Sequence, residues 1–543
     1  MTQPEQLSKP ERLHWSPGTG TDVWRMLCAA KDGNINQIRT LVEKDASIIH
    51  SSYDYRTPLS FAVCENHLEV ARYLIEKGAN PIESGTPDTL LQIAVDRGYE
   101  EMARLIEKAV SSNGTPGGSE IAQAIRDRDL KKVQSLLDAS PALVHANDER
   151  SNQPIHWAVM SRQPAMISEL LARGANINAE RKDGARPIHL TNGDYYFRGW
   201  RDVPKDITES PDDIYRLLEN KGADIDLSMA AVKGNTKRVK QLLQHDPSLA
   251  NRNPDYVTYY SGSGSPLKNA AAGGHIEIVK LLLESGADPN LREEGIAPKG
   301  HALYAAVSNG HFEIAKLLLE HGAYPNPPVE SSADALSIAL LRKNAAMVEL
   351  LCSYGAARSV EIMAYYGDLQ TAAAVFNANP SKANDPVALE NAASQGHTSF
   401  VKLMLRYQPD LAKRIAVGVD SQGTADPIQS EELTEFLFQH GMDPNFRNWL
   451  GITPLHRFAQ RDDVANALIF IKHGADVNAI DEQFLSTPLG YAAKYGKTRM
   501  VEFLLNNNAD PSLPENPTWA QPLSWAQRRG HETIVQLLNN HAT

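Results

Sequence analysis

Histidine is the residue type in this sequence that most readily suggests chemistry, because 17 of the 543 residues are histidines and imidazole serves both metal binding and acid–base catalysis. Eight of them, however, recur at two fixed places in a repeating pattern. His67, His275, His311, His397 and His531 follow a Gly or Asn between two helical segments, and His156, His189 and His456 follow Pro-Ile or Pro-Leu. A side chain repeated in this way is most simply a turn or inter-unit hydrogen-bond device. No His-Glu-x-x-His motif occurs, since His531-Glu532 lacks a second histidine four residues on. We therefore predict no metal site and no cofactor.

Two further segments approach catalytic motifs without matching them. Gly490 and Gly496-Lys497-Thr498 resemble a phosphate-binding loop, but five residues separate the glycines where the motif has four. This segment is also predicted to be a helix and its turn, which cannot form the backbone cradle that a phosphate needs. Gly262-Ser263-Gly264 is too short for a nucleophile elbow. Carboxylates are plentiful, but no spacing pairs them, so we predict a protein that is not an enzyme.

The charge and composition indicate the class of protein. The formal net charge is −12, spread over the chain without a basic block, which counts against duplex DNA or RNA as a partner because such binding depends on neutralising phosphates. The three cysteines, Cys28, Cys64 and Cys352, are too widely spaced for a disulfide framework or a cysteine-based zinc site. No run approaches about 18 apolar residues, and the first twenty residues lack the apolar core of a secretory signal. We expect a soluble, monomeric cytoplasmic protein with no membrane and no nucleic-acid partner.

One pattern organises the whole chain. Residues 265–290 read SPLKNAAAGGHIEIVKLLLESGADPN, and residues 301–326, HALYAAVSNGHFEIAKLLLEHGAYPN, place the same apolar and glycine residues at the same points. With the leucine of Ser/Thr-Pro-Leu as a marker, about sixteen units follow one another, most of them 33 or 34 residues apart. The second half of each unit spaces apolar residues at i, i+3 and i+4, which predicts a helix with one face to bury. Proline opens the first helix and glycine ends the second, as helix termini favour.

The unit resembles the ankyrin repeat, whose signature is a 33-residue period and the letters T-P-L-H-x-A. Thr453-Pro454-Leu455-His456 matches four of those letters, and Pro154-Ile155-His156-Trp157-Ala158 matches with Ile for Leu. The resemblance implies an all-α repeat protein, an ankyrin-like α-solenoid of helix-turn-helix units joined by β-turn or hairpin loops. Its turns and first helices would make a concave surface. We predict a loosely docked lead-in over residues 1–20 and one continuous array over 21–543, with irregular units at about 185–265, 336–389 and 412–450.

Two insertions interrupt the period and direct attention to function. The marker spacing rises to 39 from Ile188 to Leu227 and to 40 from Leu227 to Leu267. Insertions in solenoids form loops, often on one face, and these are rich in the aromatic and arginine types that dominate binding hot spots. The alternative is that the rings cover extra apolar surface. The candidate binding residues are Tyr195, Tyr196, Phe197, Arg198, Trp200 and Arg201 in the first insertion, Tyr256, Tyr259 and Tyr260 in the second, and Tyr55, Trp449 and Phe484 at other turn tips.

The favoured function is a non-catalytic scaffold that binds an unidentified protein or peptide through its concave surface and the two aromatic-rich inserted loops. A long preformed surface loses little conformational freedom on binding. The alternative is a small molecule or glycan bound in a groove pocket near the insertions. An enzyme site between the insertions is a third possibility that no residue spacing supports.

Overall fold

The computed structural model describes residues 1–13, 15–82, 84–86, 88–112, 114–194, 196–254, 256, 260–291, 301–326, 334–415, 428 and 430–541. Within these ranges the chain is helical, with no strand and only isolated bridges at Arg12–Thr19, Tyr53–Arg56 and Gly193–Arg198. The all-α fold predicted from the repeat pattern is confirmed. The chain divides into two compact units: unit 1 holds residues 1–12, 18–103 and 358–543, and unit 2 holds 13–17 and 104–357.

The helices of unit 1 come from both ends of the chain. They are α1 (Gly20–Lys31), α2 (Ile35–Lys44), α3 (Pro58–Cys64), α4 (Leu68–Glu76), α5 (Leu90–Asp96), α6 (Glu100–Ser111, which crosses the unit boundary), α21 (Val360–Tyr366), α22 (Leu369–Ala378), α23 (Pro386–Ser394), α24 (Thr398–Tyr407), α25 (Glu431–Gln439), α26 (Pro454–Arg461), α27 (Val464–Lys472), α28 (Pro488–Lys494), α29 (Thr498–Asn506), α30 (Pro522–Arg529) and α31 (Glu532–His541). The irregular region predicted at 412–450 lies partly outside the described residues.

The helices of unit 2 come from the middle of the chain. They are α7 (Gly118–Arg126), α8 (Leu130–Ala139), α9 (Pro154–Met160), α10 (Pro164–Ala172), α11 (Gly199–Asp202), α12 (Pro211–Asn220), α13 (Leu227–Val232), α14 (Thr236–His245), α15 (Pro266–Gly273), α16 (Ile276–Glu284), α17 (Ala302–Ser308), α18 (Phe312–Glu320), α19 (Ala335–Leu341) and α20 (Ala345–Ser353). Short 3-10 helices lie at Glu5–Ser8, Ala46–His50, Pro141–His145, Pro187–Leu190, Pro247–Asn251, Pro380–Ala383, Leu411–Arg414 and Thr518–Ala520.

Helices α15 and α16 show why one repeat folds as it does. The Ser265 hydroxyl accepts a hydrogen bond from the Lys268 amide at 3.1 Å, and Pro266 occupies the first helical position, where no amide donor is needed. Gly274, at φ +75°, ends α15 in the left-handed conformation. The buried face of α16 includes Ile278 and Leu282. Neither helix could bury its apolar face alone, so each repeat depends on its neighbours.

The histidines after the inter-helix glycine or asparagine join consecutive repeats. In each case Nε2 lies at hydrogen-bond distance from a carbonyl oxygen at the end of the preceding repeat's first helix. The pairs are His67–Lys31 (2.7 Å), His275–Val232 (3.2 Å), His311–Ala272 (3.3 Å), His397–Tyr365 (3.0 Å) and His531–Lys494 (3.3 Å). The structural role predicted for these histidines is confirmed.

Five repeats end differently, without the glycine that follows helices such as α16. A short 3-10 helix follows α2, α8, α14, α22 and α24 at these points. Its apolar residues, such as Val144 and Leu411, are buried beneath the helix pair. These turns are therefore structural variants of the repeat.

In unit 1, residues from the beginning of the chain contact residues near its end. Leu7 is fully buried, and the Thr2 amide donates to the Trp449 carbonyl at 3.1 Å. Further along, Arg529 bonds Asp96 at 2.6 Å. Leu7 and Thr2 therefore contact the rest of unit 1. Repeat periodicity could not show these contacts, because they join residues 433 or more positions apart and depend on the sum of many small rotations between repeats.

Candidate functional site

In the first insertion of unit 2, the carboxylate of Asp194 holds the backbone at Tyr196 and Phe197. Asp194 Oδ1 accepts hydrogen bonds from the amides of Tyr196 (2.9 Å) and Phe197 (2.8 Å). The Asp194 amide in turn donates to the Phe197 carbonyl at 2.8 Å. The Gly199 amide donates to the Asn192 carbonyl at 2.9 Å and closes the base of the loop. An aspartate at a turn commonly bonds amides two and three residues on, which explains the local conformation.

The short helix α11 carries the most exposed large apolar side chain of the described residues. Trp200 is 79 % exposed. Its neighbour Asp202 accepts from the Arg198 amide at 2.7 Å and pairs with Arg201 at 2.7 Å. Arg201 also donates to the Tyr196 carbonyl at 3.1 Å. The loop therefore presents Trp200 from a backbone in which the amides of Tyr196, Phe197 and Arg198 are bonded to carboxylates.

A buried arginine, Arg181, ties the loop to the body of unit 2. Its Nη1 donates to Asp194 Oδ2 at 2.8 Å and to Asn152 Oδ1 at 2.9 Å. Its Nη2 donates to Asp183 Oδ2 and to the Tyr260 hydroxyl, both at 3.1 Å. The Arg181 and Asp194 side chains are only 7 % and 2 % exposed. Burial alone would lower the pKa of Arg181, but Tyr260 and the two carboxylates hold it above its ordinary value.

The second insertion packs inward at the residues that the structure describes. Tyr260 is buried, and its hydroxyl donates to Asp183 Oδ2 at 2.6 Å. Tyr256 is buried too, with its ring stacked on His189 at 3.9 Å between centroids and its hydroxyl 3.0 Å from Asp226 Oδ2. Burial raises the pKa of both tyrosines, so both stay protonated as donors. These two rings therefore pack inside the protein, as in the alternative that the rings of the insertions cover apolar surface.

His189 differs from its counterparts in other repeats. The Nε2 atoms of His156 and His456 lie at 3.0 Å and 3.1 Å from the carbonyl oxygens of Ala179 and Ser486. His189 Nε2 instead lies 3.0 Å from Asp226 Oδ2. Burial raises the pKa of Asp226, but the His189 contact and further hydrogen bonds outweigh burial and leave it lowered.

A cleft of about 280 Å³ lies beside this carboxylate. Its wall includes Glu180, Arg186, His189, Asp226, Arg252 and Tyr256. The charged groups are largely engaged with one another, since Arg186 pairs with Glu180 at 3.1 Å and Asp226 bonds both His189 and Tyr256. Ligand pockets are mostly apolar with a few free polar groups. This lining does not favour the small-molecule or glycan alternative.

The remaining predicted binding residues fall into three groups. Tyr196 and Phe197 are half-buried: the Arg150 guanidinium lies 3.9 Å from the centre of the Tyr196 ring, and Phe197 packs edge-on against Trp157 at 5.5 Å. In unit 1, Trp449 and Phe484 are buried, whereas Tyr55 is 57 % exposed. Tyr195 and Tyr259 lie outside the described residues.

The aromatic residues at turn tips were predicted to face a partner, but Trp449 and Phe484 in unit 1 are buried. Their neighbours explain this burial. Trp449 Nε1 donates to Asp54 Oδ2 at 3.2 Å, and its ring meets Tyr53 edge-on at 5.1 Å. Phe484 packs against Tyr491 at 5.3 Å and Trp525 at 6.0 Å. These two rings stabilise contacts between repeats, so surface binding is a proposal for the exposed residues alone.

Comparison with known families agrees with the geometry. A model of ankyrin repeats in three copies matches residues 26–115, 294–362, 427–515 and 473–543, more than half of the chain. A model of many copies matches 267–319, and a single-repeat model matches 150–179. The chain belongs to the ankyrin repeat family. Ankyrin repeats generally mediate protein–protein interaction.

Relatives of this ankyrin repeat protein share segments with it. A putative ankyrin repeat protein of fowlpox virus is 29 % identical over 134 residues, which cover 24 % of this chain and 32 % of that protein. A probable E3 ubiquitin-protein ligase of Oryza sativa subsp. japonica is 48 % identical over 66 residues, 12 % of each chain. Alpha-latrocrustotoxin-Lt1a of Latrodectus tredecimguttatus is 23 % identical over 289 residues, 50 % of this chain and 17 % of the toxin. This chain thus spans at most about a third of each relative's length.

Within the ankyrin scaffold, sequence reasoning missed the residues that build the site. Arg181 and Asp183 precede the insertions and belong to no aromatic cluster, and Tyr260 is 79 positions from Arg181. Their only sequence signal is an arginine beside an acid in a turn, which is common on protein surfaces. Among the described residues, no three His, Cys, Asp or Glu side chains gather as a metal site would require, and no helix is long and apolar enough to cross a bilayer.

Proposed function

We propose that this chain is a non-catalytic ankyrin-repeat scaffold that binds a protein or peptide, and that the first inserted loop of unit 2 is its anchor. The observation that carries the proposal is the 79 % exposure of Trp200 on a loop held by buried polar contacts. Tryptophan is among the residues most enriched at binding hot spots. Exposing most of a ring of this size to water costs free energy that a bound partner would recover.

The order already present in the loop favours tight binding. Ordering a flexible loop on association reduces the free energy available for binding. Here Asp194 and Asp202 accept the loop amides before any partner arrives. Arg201, which is half-exposed, and the half-buried Tyr196 flank the tryptophan and offer donors and a second ring. This arrangement fits a partner with an apolar pocket bordered by carboxylates or carbonyls.

The concave surface predicted from the ankyrin resemblance belongs to the same proposal. Tyr55 in unit 1 is a further exposed aromatic at a turn tip. Binding at Trp200 and binding through the first helices are compatible, because a partner of standard size covers about 800 Å² on each protein. The loop would then fix the position of a partner that also lies along the repeats.

Quantitative affinity capture with the full chain tests the assignment. Proteins captured from a lysate of the source organism by the wild type are compared with those captured by Trp200→Ala and by Tyr324→Ala. Tyr324 is the matched control, since it is 64 % exposed in the same unit but lies far along the chain from the insertions. Loss of an anchor of this kind weakens binding by roughly 30-fold to 1000-fold, or about 2–4 kcal/mol.

We expect a defined set of proteins to disappear from the Trp200→Ala capture and to persist with Tyr324→Ala. Circular dichroism spectra of all three proteins should coincide, because both substituted side chains are exposed. Identical captured proteins from all three chains would remove the first insertion from the proposed interface. A partner lost only with Tyr324→Ala would move the interface elsewhere in unit 2.

A further inference from the structure

Arg162 in unit 2 is a cation on which no carboxylate acts. The residue is half-buried, and among the described residues its Nε atom is buried without a hydrogen-bond partner. Within the same part of the chain, burial is the one influence on the pKa of Arg162, which it lowers. Arginine nevertheless stays protonated in proteins. Arg181, by contrast, donates to two carboxylates.

The guanidinium of Arg162 lies against the first inserted loop. A Cβ placed on Gly199 would be 2.8 Å from Arg162 Nη2, so the arginine lies beside the residue that precedes Trp200. The glycine leaves the room that this close approach requires. The 79 % exposed ring and the cation therefore belong to neighbouring positions of one surface.

The repeat before the insertion supports Arg162. This residue occupies the turn between α9 and α10. Arg128, in the corresponding turn of the preceding repeat, donates to the Ser161 carbonyl at 2.8 Å. The contact stabilises the turn from which Arg162 extends, and it uses a carbonyl oxygen, which brings no negative charge.

The carboxylates around the loop already interact with other cations. The pairs are Asp194 with Arg181, Asp202 with Arg201, and Glu149 with Arg150. None of these carboxylates acts on Arg162. The Arg150 guanidinium, 3.9 Å from the centre of the Tyr196 ring, brings a further cation to the loop. The surface next to Trp200 is therefore positive at Arg162, although the chain as a whole has a formal net charge of −12.

We propose that the partner segment that covers Trp200 is acidic, with an aspartate or glutamate that pairs with Arg162 next to an apolar residue that packs on the tryptophan. This inference rests on the proposed function, since it names the chemistry of the partner at the same loop. A guanidinium binds a carboxylate through two parallel N–H donors, and such charged bonds are stronger than neutral ones. A purely apolar segment would cover Arg162 without pairing it, which costs free energy. Charge complementarity therefore selects an acidic peptide.

Single-stranded nucleic acid is the other class of ligand that an exposed ring and arginines would suit. Proteins that bind it stack successive bases on several rings along a basic groove. Here Tyr196 lies under Arg150, and Phe197 packs edge-on against Trp157. Within the described part of the loop, only the Trp200 ring is exposed. One exposed ring fits an apolar side chain of a peptide better than a run of bases.

Peptide display against the full chain tests the proposal with probes of defined sequence. Short random peptides are selected on the wild type, and the selected sequences are synthesised with a fluorescent label. We expect these sequences to be enriched in Asp and Glu next to an apolar residue. Fluorescence anisotropy then compares each acidic peptide with its amide form, in which Asn and Gln replace the acids. The amide form should bind the wild type roughly 10-fold to 100-fold more weakly.

Variants of the full chain assign this preference to one residue. Arg162→Gln should bind the acidic peptide as weakly as the wild type binds the amide form. Arg162→Lys keeps the charge but loses the planar fork, so it should weaken the acidic peptide alone, and it decides the question if Arg162→Gln fails to fold. Arg342→Gln is the matched control, because it removes the same charge from an exposed arginine of unit 2 and should change neither affinity.

The outcomes separate this inference from the proposed function. Peptides that require Trp200 but bind equally in acidic and amide forms would overturn the acidic partner and leave the anchor in place. Acidic peptides that bind Arg162→Gln as tightly as the wild type would do the same. Selected peptides that all bind Trp200→Ala unchanged would contradict the anchor itself. A labelled thymidine oligonucleotide that binds more tightly than every peptide, and is lost with Arg162→Gln, would replace the acidic peptide by single-stranded nucleic acid.

Discussion

Breaking the Arg181–Asp194 ion pair of unit 2 should cost far more stability than breaking any surface pair of the insertion. Removing one partner of a buried pair leaves an uncompensated charge and typically costs about 3–5 kcal/mol. Asp194→Asn removes the charge but keeps an oxygen for the amides of Tyr196 and Phe197. Since Asp183 and Tyr260 remain as partners of Arg181, we expect a loss near the lower end, about 3 kcal/mol.

Asp194→Ala removes the acceptor of the two loop amides as well. A buried donor left without its partner costs about 1–3 kcal/mol. The loop can relax towards water, so we expect Asp194→Ala to exceed Asp194→Asn by about 1 kcal/mol. Asp202→Asn serves as the matched control because its partner Arg201 is 52 % exposed. An exposed pair contributes about 0–1 kcal/mol.

Hydrogen exchange in increasing urea measures these differences for each unit separately. Peptides from α9 report the free energy of unfolding of unit 2, and peptides from α28 in unit 1 provide an internal reference. Both Asp194 variants should lower the stability of α9 and leave α28 unchanged. If Asp194→Asn lowers the unfolding free energy of unit 2 no more than Asp202→Asn does, the buried network does not stabilise the loop and the reasoning fails.

Three further predictions concern other parts of the fold. His156 is fully buried, and burial lowers its pKa to about 3. As the pH falls, the unfolded chain therefore binds a proton at His156 before the folded chain does, and unit 2 should lose about 2 kcal/mol of unfolding free energy between pH 7 and pH 5. Urea titrations at the two pH values should find a smaller loss in His156→Gln. Gly234→Ala places a Cβ 2.6 Å from the His275 ring, whereas the Cβ of Gly310→Ala meets nothing within 4 Å. Both positions have positive φ, so the backbone strain is similar. Thermal unfolding should therefore show that Gly234→Ala is more destabilising than Gly310→Ala by about 1–3 kcal/mol. Trp200→Ala should change the free energy of unfolding by less than about 0.5 kcal/mol, as measured by urea titration, because its ring contributes to no core.

The repeat pattern alone was enough to predict the helices, their caps and the structural role of the recurring histidines. These features repeat every 33 or 34 residues and depend on neighbours in sequence. For the candidate site, the sequence predicted the position in the chain but not which of its residues are exposed. The sequence located the insertion with Trp200 but could not distinguish it from Tyr256 and Tyr260, which are buried. Which of these rings is buried depends on Arg181 and Asp183. These two residues meet their partners, Asp194 and Tyr260, only in the folded chain.

The long-range contacts of unit 1 could not be predicted from the sequence for a related reason. The burial of Trp449 and Phe484 arises where late repeats of unit 1 meet other residues, including Asp54 near the beginning of the chain. No local pattern encodes a contact over 395 positions. Such contacts depend on geometry accumulated over many repeats.

The buried charges of Arg181 and Asp194 help to explain why the proposed function lies in the insertion. A regular repeat such as α15–α16 is held by apolar packing and by capping contacts that its neighbours share. An insertion occurs once, so no adjacent copy can bury its backbone or fix its direction. A buried ion pair seldom adds much net stability over apolar packing, but its geometry is specific. We infer that Arg181 and Asp194 serve to hold one conformation of the loop. The same contacts that stabilise this conformation keep Trp200 exposed to solvent, where the proposed partner would bind it.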